Sequence, residues 1–106
     1  MKFTINGRKM EITEAMEQRI TKKVGKLDRY FKNDASALVA MSLERGRHTI
    51  EVTVNSGGMV FRAQETTGDM YASIDKVVDT LEGQIRKNKA RLEKRLREGA
   101  FDGLPE

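Results

Sequence analysis

The run from Asp69 to Glu98 limits what this chain can fold into more than any other stretch. Tyr71, Ile74, Val78, Leu81, Ile85, Leu92 and Leu96 recur at alternating steps of three and four, interrupted only at Asn88. At about 100° per residue these positions form one stripe, about 80° wide, which is a helix pattern. Arg86, Lys87, Arg91, Lys94 and Arg97 fall on the opposite side. A helix of about 30 residues spans about 45 Å, whereas a strand of about six or seven residues covers only about 20 Å. The sequence therefore predicts a long helix that packs along its start and overhangs the rest of the fold at its end.

Charge is divided along the same helix. Between Arg86 and Arg97 seven bases (Arg86, Lys87, Lys89, Arg91, Lys94, Arg95 and Arg97) face Glu93 alone, a net of +6 in a chain whose total is +4. Everything else is therefore slightly acidic. Basic charge gathered at one helix end suits a phosphate backbone, because each neutralised phosphate releases condensed counterions. With 106 residues, 34% of them charged, the chain fits one domain with a modest core. The absence of Cys excludes disulfides, thiolate chemistry and Cys-based zinc sites. No apolar run approaches the roughly 18 residues of a membrane span, and the N-terminus lacks the apolar core of a signal peptide. These features predict a cytoplasmic location.

The other elements follow in order. Phe3 and Ile5 alternate within a first strand, Lys2 to Arg8, and Asn6-Gly7 offers a turn or bulge before Met10 and Ile12. Thr13 stands where a helix N-cap belongs, Glu14 and Glu17 follow it, and Met16, Ile20, Val24, Leu27 and Phe31 repeat at helical steps. This helix is expected from about Glu14 to Tyr30, with Lys22, Lys23, Lys26 and Arg29 on its polar face. Asn33-Asp34 marks a turn. Three alternating segments come next: Ser36 to Glu44, His48 to Asn55 and Met59 to Glu65, joined at Arg45-Gly46 and Gly57-Gly58. Ile50, Val52, Val54, Phe61 and Ala63 face inward, and Asp69 can cap the long helix. Beyond Glu98, Gly99, Gly103 and Pro105 break regular structure, so 99–106 reads as a linker or disordered tail.

The expected class is α+β, in the order β-α-β-β-β-α: a four-stranded sheet with both helices packed on one face, since each helix has a single apolar stripe. No catalytic set is present. His48 is the only histidine and stands beside Arg47 at a hairpin. Asp75, Asp79 and Glu82 share a helix face, but acids near a helix start and the spaced pairs Glu82–Arg86 and Glu93–Arg97 need no metal to explain them. No cofactor is expected.

Asp69-Met70-Tyr71-Ala72-Ser73-Ile74-Asp75, after four alternating strands and before a basic helix, resembles the ribosome hibernation-promoting factor and ribosome-associated inhibitor family. Lys26-Leu27-Asp28-Arg29-Tyr30-Phe31, Met1 to Thr13, and Gln84-Ile85-Arg86-Lys87-Asn88-Lys89 are similar to it as well, so the resemblance runs from Met1 to Leu96. It implies a non-catalytic domain over 1–98 that binds the small ribosomal subunit in the channel for messenger and transfer RNA and silences idle ribosomes. The implied contacts with 16S-type ribosomal RNA are Lys22, Lys23, Lys26 and Arg29 on the first helix and Arg86, Lys87, Lys89, Arg91 and Lys94 on the last. No membrane or small-molecule partner is implied. Pairing of ribosomes would need a C-terminal domain of the kind carried by long members of the family, whose linker the end of this chain resembles. One departure stands out: Thr80-Leu81-Glu82-Gly83-Gln84 replaces the family's Lys-Leu-Glu-Arg-Gln, losing two basic positions and placing a glycine in the helix. The alternative is a double-stranded RNA-binding module, whose α-β-β-β-α order is contained in this one. Such modules start the last helix with lysines, and here that start holds Asp69, Asp75 and Asp79.

Overall fold

The computed structural model describes residues 1–32 and 34–97, with side chains as far as Asn88. The expected tail at 99–106, the turn residue Asn33, and the side chains of Lys89, Arg91, Leu92, Lys94 and Leu96 lie outside the described residues.

Strands β1 (Lys2–Arg8), β2 (Ala35–Glu44), β3 (Arg47–Ser56) and β4 (Met59–Thr67) form one sheet in the order β1-β2-β3-β4. β1 and β2 are parallel, as a strand pair separated by a helix can be, and the other pairs are antiparallel. The register stacks inward residues into rows: Phe3, Ala37, Val54 and Phe61, then Ile5, Val39, Val52 and Ala63. Both hairpins close through two residues at positive φ, Arg45 (52°) with Gly46 (76°) and Gly57 (56°) with Gly58 (84°). That backbone twist matches the flanking strands.

Asn6-Gly7 does not turn the chain. β1 continues through both residues, and the reversal comes at Lys9, which takes φ 60°. Gly7 serves a different end. The following loop folds back so closely that a Cβ on Gly7 would lie 2.8 Å from the Met10 carbonyl oxygen, so only glycine fits without displacing backbone.

Helix α1 (Glu14–Gly25) starts at Thr13, whose hydroxyl accepts from the Met16 amide at 3.2 Å. The α-helix expected to reach Tyr30 ends at Gly25, and Lys26–Tyr30 tightens into a 3-10 turn. Ile20, Val24 and Leu27 are buried on this segment. The long helix α2 (Met70–Arg97) is capped by Asp69, whose carboxylate accepts from the Ala72 amide at 3.2 Å. Its buried seam is Met70, Ile74, Val77, Leu81 and Ile85, with Tyr71 and Val78 half-buried at the margin. The stripe read from the sequence is thus rotated slightly from the true seam: Met70 and Val77, which it omits, are buried, while Tyr71 and Val78, which it includes, are only partly so. Ser73 belongs to the buried side too. Its hydroxyl donates to the His48 carbonyl at 2.7 Å, so the polar group is satisfied where the helix meets β3.

Both helices lie on one sheet face and share one core with it. α2 runs back along β4: Thr80 meets Glu65 and, further on, Gln84 reaches the Arg62 carbonyl. At about 1.5 Å per residue, its 28 residues span about 42 Å. Strands of nine and ten residues cover about 30 Å, longer than the sequence suggested, so the overhang is shorter than expected. Among the described side chains Ile85 is the last buried one of α2; Arg86, Lys87 and Asn88 are all exposed. Among the described residues no helix is long and apolar enough to cross a membrane.

Candidate nucleic-acid interface

The buried anchors of α1 fix where its bases point. With Ile20, Val24 and Leu27 inward, Lys22 and Lys26 are exposed, Lys23 is half-buried, and Arg29 is carried out at the end of the 3-10 turn. On α2, Leu81 and Ile85 inward leave Arg86 and Lys87 outward. Six of the nine expected contacts therefore lie on described surface, on neighbouring helices; Lys89, Arg91 and Lys94 fall outside the described side chains.

The helices meet along a groove of about 470 Å³ with walls of opposite sign. Lys23, Lys26 and Arg29 line one side, Asp75, Asp79 and Glu82 the other, and Leu27 and Val78 the floor. Two of these acids, Asp75 and Glu82, pair with bases of α1 and the 3-10 turn that follows it. Asp75 lies 3.7 Å from Arg19 Nε and 4.0 Å from Lys23 Nζ. Arg19 also sits over the Tyr71 ring at 5.6 Å, tying the two helices by a cation–π contact.

Further along, Glu82 accepts from the Tyr30 hydroxyl at 2.7 Å and from Arg29 Nη2. Arg29 Nη2 and Arg86 Nε each also donate to the Tyr30 oxygen at 3.0 Å. The expected pair along α2 forms as well, with Arg86 Nη2 3.8 Å from Glu82. The Tyr30 hydroxyl, followed by the Arg29 guanidinium, holds the Glu82 carboxyl below its ordinary range. Tyr30 is likewise the first cause of the raised pKa of Arg29 and of Arg86.

Two of the expected contacts, Lys23 and Arg29, are thus already engaged with carboxylates, and Arg86 is engaged at one edge. Among the described residues Lys22, Lys26 and Lys87 have no ion-pair partner. Sequence reasoning missed Tyr30 and Arg19, and no local signal marks them: Tyr30 and Arg86 are 56 residues apart and meet only in the fold.

Thr80 and Gly83, where the resemblance leads one to expect bases, have different surroundings. The Thr80 hydroxyl donates to the Glu65 carboxylate at 2.7 Å on the β4 side. A Cβ on Gly83 would meet nothing within 4 Å.

The family described as Sigma 54 modulation protein / S30EA ribosomal protein matches residues 3–93. The chain belongs to that family. The ribosome hibernation promotion factor of Deinococcus radiodurans is 38% identical over 97% of this chain and 56% of the relative. The factor of the same name from Lactococcus lactis is 37% identical over 97% of this chain and 57% of its own length. The chain spans about half the length of these curated relatives. Among solved structures, the Thermus thermophilus Protein Y N-terminal domain matches with a TM-score of 0.77 and 36% identity, covering 82% of this chain and 98% of its own. A ribosomal subunit interface protein from Coxiella burnetii shares the fold at 22% identity and a TM-score of 0.76, over 85% of this chain and 99% of its own. The β-α-β-β-β-α fold is thus shared with the Thermus thermophilus domain.

Proposed function

We propose that this chain is a ribosome-binding domain that holds idle ribosomes silent by occupying the small subunit's channel for messenger and transfer RNA. In this reading it acts in the cytoplasm, catalyses nothing and grips ribosomal RNA through the outward faces of α1 and α2. The observation that carries the reading is the side-by-side placement of two basic faces outside one shared core, in a chain of a family whose relatives are named for ribosome hibernation. Lys22, Lys26 and Lys87, without ion-pair partners among the described residues, supply charge for phosphates, and Arg86, Lys89, Arg91 and Lys94 extend that charge along α2. Pairing of ribosomes belongs to another part of the longer proteins.

Co-sedimentation tests the proposal, with purified small subunits, duplex RNA and anionic liposomes offered in parallel at moderate salt. Retention by the small subunits alone is expected, without ribosome dimers in sucrose gradients. Preferential retention by duplex RNA would replace this reading with the double-stranded RNA module.

A further inference from the structure

The Tyr30 hydroxyl has one proton to give and two lone pairs with which to accept. All three are used here. The proton goes to Glu82 at 2.7 Å, and the lone pairs receive Arg29 Nη2 and Arg86 Nε at 3.0 Å each. Two like charges are thereby drawn to one oxygen atom, one from the neighbouring residue and one from a residue 56 positions away, and Glu82 offsets their repulsion from beside them. The guanidinium groups remain open to solvent, with side chains 60% and 65% exposed. Among the described residues their hydrogen bonds and ion pairs use Nη2 of Arg29, whose guanidinium also sits over the Tyr30 ring at 5.0 Å, and Nε and Nη2 of Arg86, so each keeps N–H groups for a further acceptor.

Resting on the ribosomal RNA reading above, we propose that Tyr30 and Glu82 are positioning residues that hold Arg29 and Arg86 together as one site for a single phosphodiester of that RNA. The charges fit this ligand. Two arginines and one carboxylate sum to +1, the complement of a phosphodiester's single negative charge. Arginine presents its donors as a rigid planar fork that matches phosphate oxygens, and two forks fixed in advance bind with less loss of side-chain freedom than two free ones. Lysines do not need this arrangement, because an ammonium grips as a point charge. That contrast accounts for why the cluster gathers arginines, while Lys22, Lys26 and Lys87 stand without ion-pair partners among the described residues.

A double-mutant cycle read on purified small subunits tests the proposal. If both arginines hold one phosphate, Arg29→Ala and Arg86→Ala each weaken binding about tenfold, and the double variant weakens it scarcely further, instead of the roughly hundredfold expected of independent contacts. Tyr30→Phe keeps the ring and removes the hydroxyl. With a native-like thermal melt it should weaken binding about fivefold, and in that background the two arginine substitutions should become independent. A merely structural Tyr30 would not change their coupling. Independent arginines in the parent chain, or Tyr30→Phe binding like the parent, overturns the two-arginine site while leaving ribosome binding intact. Failure of the unaltered chain to bind small subunits overturns both readings. Should Tyr30→Phe not fold, the cycle in the parent chain still decides.

Discussion

The two flanks of α2 are stitched to their neighbours with opposite polarity. Toward β4 the helix supplies Lys76, Thr80 and Gln84, and the strand supplies the Glu65 carboxylate and the Arg62 carbonyl. Toward α1 the helix supplies chiefly the carboxylates Asp75 and Glu82, with Arg86 the exception in donating to Tyr30, and the partner segment supplies Arg19, Lys23, Arg29 and Tyr30. Exposed pairs of either kind contribute only about 0–1 kcal/mol each. The shared seam of Met70, Ile74, Val77, Leu81 and Ile85 is what holds both flanks in place. The difference lies in what remains: on the α1 side the bases outnumber the acids that hold them, and the surplus faces solvent.

The comparison breaks most severely at the seam itself. Leu81→Ala should cost about 2–5 kcal/mol, because Leu81 is fully buried and its removal leaves a cavity between helix and sheet. Chemical denaturation should show both flanks failing in one transition. Reversal of the surplus charge acts on binding instead. Lys22, Lys26 and Lys87 changed together to Glu should weaken small-subunit affinity by about a hundredfold or more, with a native-like melt and a flatter dependence of affinity on salt. Loss of helicity in that variant would mean that core and surface have been misassigned.

Smaller effects sharpen the contrast. Gly83 is exposed with open space where a side chain would go, so Gly83→Arg should stabilise α2 by about 0.5–1 kcal/mol and tighten binding. Unchanged affinity in a stabilised variant would show that this position faces away from RNA. On the β4 flank, Lys76→Ala should shift stability by no more than about 0.5 kcal/mol and leave binding alone. A pH series separates the flanks once more. The folded-state pKa of Glu82 is depressed, so its contribution is present above the unfolded value of about 4.3 and is lost as pH falls through the folded one. The melting difference between the parent and Glu82→Gln should therefore stay constant from about pH 7 to pH 5 and narrow only in stronger acid.

Most of the element order was legible because it rests on local rules. The alternation of Ile50, Val52 and Val54, the turns at Arg45-Gly46 and Gly57-Gly58, the caps Thr13 and Asp69, and the helical spacing of Ile74, Leu81 and Ile85 each depend on residues a few positions apart. The basic faces were legible for the same reason, since helical spacing alone puts Arg86 and Lys87 opposite Ile74 and Leu81.

What the tertiary structure decided are contacts between residues far apart in sequence. Gly7 reads as a turn until the Met10 loop is seen to press against it. Glu65 falls in an inward row beside Met41 and Ile50, where alternation calls for an apolar residue, and is tolerated because α2 brings Thr80 and Lys76 to it. Acids at the start of α2 and bases on α1 looked like separate helix-end preferences, but the packing of two helices on one sheet face joins them into cross-helix pairs. Tyr30 shows the limit most plainly. An aromatic residue at the end of a helix carries no mark of a hydroxyl that joins two arginines and a glutamate, because their meeting depends on the angle at which α1 and α2 cross the sheet, which is set by the whole core.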